Sequence, residues 1–409
     1  MFRRLLLLFV TFFIKPTLAA PFSVVEGDQK AAEKLFSSFN FERLAPRGKI
    51  KWSEGPLPLW DGRLLFSDTI QAKIFVWSPT TGQNIQTLLS GSGDAPLDDG
   101  IDRAEPGANG LAIFDKTNIV VCQHGARRVT RIDLLSKKRN DLAVVAPNGR
   151  RFNGPNDLWV SPDRKSVYFT DPVYAFLRTG EWFQDLPYLD ELVRTNGTGT
   201  TAVYRVNLHN KKCGIAASEG DTPSSETTVE EKCTPGSEAI TVEIVTDSLS
   251  RPNGIGGDPK IPGRIWVSDC CQGTHNPSCR QGTSRWVALE DRSRSGFDRM
   301  TSNASSSSWK IVATIEDVKP TFKSGCADGF AFHEPTGWMV SSCAGGLCIV
   351  DTAKEKVIAR LRSTSDDVAD GTLVFSNVAF GRDTAFFTGK GGVWRLPLNR
   401  ARGSYGGEL

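Results

Sequence analysis

Residues 109–124 read NGLAIFDKTNIVVCQH and residues 156–171 read NDLWVSPDRKSVYFTD. Each stretch opens on an amide side chain, follows a short apolar run, turns on a polar Asp-containing segment and climbs a second run rich in β-branched and aromatic residues. That is the signature of two antiparallel strands around a tight polar turn. The same plan restarts at Glu54, Asn253, Asp328 and Asn377, so Glu54, Asn109, Asn156, Asn253, Asp328 and Asn377 mark one position six times. A second marked position follows the first five at a nearly constant distance, at Asp68, His124, Asp171, Asp269 and Cys343.

Outward from these pairs, a third β-rich run follows at 129–133, 203–207 and 347–351, and a fourth at 142–145, 242–245 and 357–360. Four antiparallel strands per repeat is the unit of a propeller blade, because such a sheet must bury both faces against its neighbours. The expectation is an all-β, six-bladed β-propeller over residues 46–409, preceded by an N-terminal extension at 21–45. Two intervals between opening residues are long and hold Ser/Thr/Gly-rich, cysteine-bearing stretches near 211–238 and 270–308. These read as loop insertions leaving blade edges, where added length costs little.

The 409 residues, 39% of them hydrophobic, can bury a substantial core, and 39 Gly with 22 Pro punctuate short strands rather than long helices. Residues 1–20 place Arg3 and Arg4 before an apolar run and end on Ala19 and Ala20, the pattern of a cleavable signal peptide. Lys15 and Pro16 break the run well short of the roughly 20 residues that a bilayer span needs, so secretion without a membrane anchor is expected. Removing Arg3, Arg4 and Lys15 turns 49 basic against 46 acidic residues into 46 against 46. A near-neutral chain carries no basic stripe for nucleic acid.

Nine cysteines behind a signal segment predict disulfides, and Asn196 and Asn303 begin glycosylation sequons. The spacings suggest Cys213 with Cys233, Cys279 with Cys270 or Cys271, and a third group of Cys326, Cys343 and Cys348. Cys122, in an apolar strand, is the thiol left over.

In a propeller the first strand of each blade lines the central channel, so the six repeated side chains should converge. Glu54, Asn156, Asn253 and Asp328 would supply hard oxygen ligands suited to Ca²⁺, with Mg²⁺ a less comfortable alternative and zinc disfavoured by the scarcity of His and Cys in the set. An isolated Asn-Gly is usually a turn. Turns, however, need neither a Glu at the first position nor a carboxylate at the fifth.

Glu54-Gly55-Pro56, Ala108-Asn109-Gly110-Leu111, His124-Gly125-Ala126-Arg127-Arg128-Val129, residues 151–157 (RFNGPND), Phe169-Thr170-Asp171-Pro172, Arg251-Pro252-Asn253-Gly254 and Ala327-Asp328-Gly329 together resemble the SMP-30/gluconolactonase/LRE-like group of six-bladed calcium-dependent hydrolases. The resemblance implies one catalytic divalent cation, Ca²⁺, carried by Glu54, Asn156, Asn253 and Asp328, and points to Asp328 as the base that takes the proton of water. His124, at a second marked position, is the other catalytic candidate, with an interblade backbone bond as its plain structural reading. Asn109 is free to orient substrate, and Arg151 is a candidate to reach a polyol or carboxylate. The expected activity is the opening of sugar-type lactones. Hydrolysis of another activated ester or phosphotriester, or a propeller with a purely structural cation, are the alternatives. No Gly-x-Ser-x-Gly elbow is present, and His333-Glu334 meets Gly337 where a zincin needs His.

Overall fold

In the computed structural model, which describes residues 22–93, 100–179, 187–210, 238–271, 282–291, 308–317, 326–344, 346–363 and 373–399, each recurring stretch becomes the inner part of one antiparallel sheet. The first blade is Ser53–Pro58, Leu64–Asp68, Lys73–Trp77 and Ile85–Ser90; the second is Leu111–Ile113, Asn118–Gln123, Arg128–Asp133 and Arg139–Ala143. The third is Leu158–Val160, Ser166–Asp171, Ala202–Asn210 and Glu238–Thr246; the fourth is Pro252–Gly257, Arg264–Cys270, Ser284–Asp291 and Trp309–Asp317. The fifth holds Phe330–His333, Trp338–Cys343, Gly346–Asp351 and Lys356–Ser363, and the sixth holds Phe375–Phe380, Thr384–Gly389 and Gly392–Pro397.

The alternation along these strands sends apolar side chains to both faces, so each sheet shares a core with the sheet on either side. Leu65 and Ile74 pack with Val121 and Ile132, then Cys122 and Val129 with Val167 and Phe169, and Tyr168 and Val203 with Val267 and Val287. Trp266 and Trp286 meet Met339 and Val350, Val340 and Ile349 meet Val378 and Phe387, and Phe66 and Trp77 meet Phe386 and Val393. The sixth blade thus packs back on the first. The ring is closed, and the all-β six-bladed propeller expected from the repeats is the observed fold.

Closure depends on residues 22–45, read from the sequence as an extension ahead of the propeller. Glu42–Arg43 pairs with the last strand, Glu42 opposite Arg395 and Arg43 opposite Trp394, and completes the sixth blade from the other end of the chain. Phe41 stacks on Phe375 and meets Phe387 edge-on, both at 5.4 Å between ring centroids. Phe22–Gly27 adds a fifth strand to the fifth blade along Lys356–Ser363. The helix Gln29–Leu35, capped by Asp28, then buries Ala31, Ala32 and Leu35 on the way between them. Burying Leu35, Phe36 and Phe41 contributes about 1.5–3 kcal/mol each, comparable in sum to the 5–15 kcal/mol that typically stabilises a whole domain. A chain beginning at residue 46 is therefore expected to lose its cooperative melt by circular dichroism, whereas one beginning at residue 22 keeps it.

The second expected insertion needs correction. Ser284–Asp291 lies inside the 270–308 stretch, yet it is a buried strand of the fourth blade whose Trp286, Val287, Ala288 and Leu289 enter two interblade cores. The flanking polar residues concealed it. The cysteine pairing also differs: Cys270 is bonded to Cys326, and Cys343 to Cys348, so Cys326 does not join the local group assigned to it. Cys271 is disulfide-bonded too, and Cys122 is a free, buried thiol as expected. The signal segment, residues 211–237 of the insertion expected near 211–238, Cys213, Cys233, Cys279 and Asn303 lie outside the described residues. Among the described residues no helix is long and apolar enough to cross a membrane.

Candidate metal centre

The repeated side chains are placed by two devices that the sequence spells out. First, the glycine after a ring residue permits close approach of neighbouring blades. A Cβ on Gly110 would stand 2.9 Å from the Asn156 carbonyl oxygen, one on Gly254 would stand 2.6 Å from that of Asp328, and one on Gly329 would overlap the Asn377 side chain. These Asn-Gly and Asp-Gly pairs are consequently channel positions and not turns. Second, a hydroxyl next to the second marked position bonds the backbone of the following ring residue. Ser67 Oγ donates to the Asn109 carbonyl at 2.7 Å, Thr170 Oγ1 to that of Asn253 at 2.5 Å, and Ser268 Oγ to that of Asp328 at 2.6 Å.

The carboxylates at the second marked position secure the segments leading into the ring. Asp171 accepts from the Asn153 and Gly154 amides at 2.9 and 2.7 Å, Asp269 from the Ser250 and Arg251 amides at 3.2 and 2.7 Å, and Asp68 from the Lys51 amide at 2.8 Å. These three are structural acceptors. His124 replaces a carboxylate at this position and is directed differently.

Charge in the channel is concentrated. Burial first, and then Asp328, drives the Glu54 carboxyl well above its ordinary range; Trp52 Nε1, donating to Oε1 at 2.9 Å, opposes this, and Glu105 and Asp157 add to it. Asp328 is likewise raised by burial and by Asp157 and Glu105, against the Gly329 amide and Asn253. Asp157 is pushed to about 6 by burial against bonds from the Leu158 amide and Asn377, and Glu105 to about 7 by burial and the neighbouring Asp68. Buried among them, Asn109 Oδ1 and Asn253 Oδ1 have no hydrogen-bond partner. Carboxylates held above their ordinary range by burial and neighbouring charge, beside amide oxygens lacking donors, fit a hard divalent cation. The cluster of Asp317, Cys343 and Cys348 offers no competing site, since its sulfurs are bonded to each other and Arg360 pairs with Asp317.

Glu54, Asn156 and Asn253 are buried in this ring and Asp328 is half-buried. Asn109 is also buried there with its oxygen available. Asn377 is engaged, since its Nδ2 lies 3.4 Å from Asp157 Oδ2 and its Oδ1 accepts from the Val378 amide. His124 is fully buried, with Nδ1 3.1 Å from the Pro155 carbonyl and Nε2 4.0 Å from Glu105 Oε2. Since a carbonyl only accepts, Nδ1 carries the proton and Nε2 is a lone pair, which has no hydrogen-bond partner. Burial lowers the ring's pKa to about 4, so His124 is neutral at ordinary pH. Arg151 is not brought to the ring: it is exposed and forms an isolated bridge with Val145.

Sequence reasoning did not select Glu105, Asp157, Tyr174 or Arg251. Two of them had a local signal. Asp157 stands where four of the other five repeats have glycine, and Arg251-Pro252 immediately precedes Asn253. Tyr174 had none, because a 3₁₀ turn, Tyr174–Phe176, and the helix Pro187–Thr195 that packs on it through Leu189 and Val193 interrupt the third repeat.

Comparison with known proteins agrees with this architecture. Residues 52–221 match the SMP-30/Gluconolactonase/LRE-like region. A gluconolactonase of Zymomonas mobilis subsp. mobilis is 38% identical over 135 residues, which are 32% of this chain and 36% of the relative, so the match spans about a third of that protein. Among solved structures, the gluconolactonase of Xanthomonas campestris superposes with a TM-score of 0.60 at 21% identity, covering 93% of this chain and 97% of the other. The PQQ-bound aldose sugar dehydrogenase of Streptomyces coelicolor reaches 0.50 at 17% identity, covering 94% and 100%. At those identities the structural likeness establishes the fold alone, and a dehydrogenase among the neighbours shows that the fold does not fix the chemistry. Over residues 52–221, the stretch that carries Glu54, Asn109 and Asn156, the sequence is therefore similar to the SMP-30/Gluconolactonase/LRE-like region.

Proposed function

We propose that the protein is a secreted, Ca²⁺-dependent lactonase that opens sugar-type lactones by hydrolysis. The observation that carries this reading is that Asn109 Oδ1 and Asn253 Oδ1, at the repeated channel position, are buried without donors, while Glu54 and Asp328 at the same position are held above their ordinary range by burial and by neighbouring carboxylates. Glu54, Asn156, Asn253 and Asp328 would hold the cation, which when bound polarises an ester carbonyl and offsets the negative charge that develops on it. Asn109 presents an amide to the substrate and orients the carbonyl or a neighbouring hydroxyl. The proton of the attacking water goes to Asp328, as the family resemblance suggests, or to His124 Nε2, which is kept neutral and unprotonated for that task. Secretion is supported by residues 1–20 and by the disulfide-bonded Cys270, Cys271, Cys326, Cys343 and Cys348, which suit an oxidising compartment. A mature N-terminus just after Ala20, read by mass spectrometry on protein from the medium, is the corresponding test.

EDTA is expected to abolish hydrolysis of aldonolactones while the far-ultraviolet β signal persists, with Ca²⁺ restoring the rate. Preference for aryl esters or phosphotriesters over lactones would favour the other hydrolase reading, and unfolding on chelation would favour a structural cation. Chelation also has a defined pH signature. Glu105 and Asp157 have folded values raised from 4.5 to about 7 and from 3.8 to about 6, so the stability they contribute is present below pH about 4 and is lost as pH rises through those values. The melting temperature of chelated protein should therefore fall between pH about 4 and about 7, at on the order of 1.4 kcal/mol per pH unit for each group titrating alone. Ca²⁺ should flatten that slope. A chelated protein whose melting temperature is level across this range contradicts the crowded ring.

A further inference from the structure

We propose that Arg251, with Tyr174 beside it, forms a carboxylate-binding subsite that receives the hydroxy-acid product of ring opening. This rests on the lactonase reading above and adds a ligand group to it. Arg251 is 2% exposed and stands two residues before Asn253. Its backbone is fixed on both sides, the amide donating to Asp269 Oδ1 at 2.7 Å and the carbonyl accepting from the Cys270 amide at 3.2 Å. Yet its guanidinium makes no hydrogen bond or ion pair with any described residue.

Other buried arginines differ. Arg127 donates to the Phe152 and Asn196 carbonyls, Arg285 pairs with Asp269 at 2.8 Å, and Arg360 pairs with Asp317. Asp269, the carboxylate nearest in the fold to the Arg251 backbone, is thus already matched by Arg285. A buried guanidinium left without a partner is costly, and the cost is tolerable where a ligand completes the site.

The location follows from Tyr174. Burial raises its hydroxyl above the ordinary range, Arg251 draws it back, and Asp328 and Asp269 push it up. Arg251, whose pinned backbone stands two residues before Asn253, and Tyr174, close enough to feel both Arg251 and Asp328, therefore lie on the Asn253–Asp328 side of the ring, where the cation would lie. There the charge of the incoming and outgoing molecules differs. Water adds its oxygen to the carbonyl carbon, the ring C–O bond breaks, and one water proton ends on the released ring oxygen as a hydroxyl. The new carboxylic acid then gives its proton to solvent. A neutral lactone enters and an anion leaves. Arg251 offers a planar donor fork whose geometry matches a carboxylate.

The test is isothermal calorimetry on the Ca²⁺-loaded full chain with D-gluconate and its uncharged counterpart glucitol. Arg251→Gln is expected to weaken gluconate binding about ten- to a hundredfold, as loss of charge-assisted hydrogen bonds does, with glucitol binding unchanged. Arg251→Lys, which keeps the charge but loses the fork, should fall between and decides the matter if the Gln variant fails to fold. Wild-type gluconate affinity in either folded variant, or equal weakening of gluconate and glucitol, overturns the subsite. A wild-type protein that opens no lactone yet binds gluconate through Arg251 retains the subsite and removes the lactonase reading.

Discussion

Glu54→Gln and Asp328→Asn should each lower kcat/KM for aldonolactone hydrolysis by about a thousandfold or more, because each removes an anionic ligand from the cation expected to stabilise the developing oxyanion. Stability should move the opposite way once the protein is chelated. Glu54 is raised by burial and by Asp328, and Asp328 by burial and by Asp157 and Glu105, so an uncharged isostere at either position relieves the metal-free fold at neutral pH. The wild type should gain melting temperature with added Ca²⁺ according to ligand concentration over its dissociation constant. The variants should start higher and gain little. This crossing pattern separates a ligand from an ordinary core residue, whose loss lowers stability with or without the ion. Full activity together with unchanged Ca²⁺ affinity in both variants would falsify the metal-centre assignment.

The ring was legible because it is periodic. One channel position per blade recurs in the chain, and the side chains there are polar where the strands that follow are apolar, so Glu54, Asn109, Asn156, Asn253, Asp328 and Asn377 could be picked out without coordinates. The hydroxyls of Ser67, Thr170 and Ser268 share that periodicity but were hidden among ordinary strand serines and threonines. What breaks the repeat was harder to read. Asp157 and Arg251 are single departures within one blade each, and Tyr174 reaches the site from a short turn supported by a helix, which no strand spacing describes. Ser284–Asp291 failed for a different reason: its apolar core is bounded by polar residues typical of loops, and only pairing with Arg264–Cys270 on one side and Trp309–Asp317 on the other makes it a strand. Likewise the role of residues 42–43 depends on a partner more than 350 positions away, at Trp394 and Arg395.

His124→Gln is the substitution that should divide the two candidate bases. A Gln amide can still donate toward the Pro155 carbonyl, so the interblade bond survives while the lone pair on Nε2 is lost. If His124 takes the proton of water, kcat should fall by about 10²- to 10⁴-fold, the range for general-base catalysis, with Ca²⁺ affinity and melting temperature near wild type. Glu105 supplies the second half of the argument. Its Oε2 lies 4.0 Å from Nε2, too far for a direct hydrogen bond but a separation that one oxygen held between them can bridge. Burial places the Glu105 carboxyl near 7, where it changes charge within the working range, whereas His124, lowered to about 4, does not. A wild-type rate that rises with pH toward neutrality should therefore lose that limb in Glu105→Gln and keep it in Asn109→Ala. Were His124→Gln to retain wild-type kcat, the interblade bond would be the whole role of the imidazole, and the proton would go to Asp328.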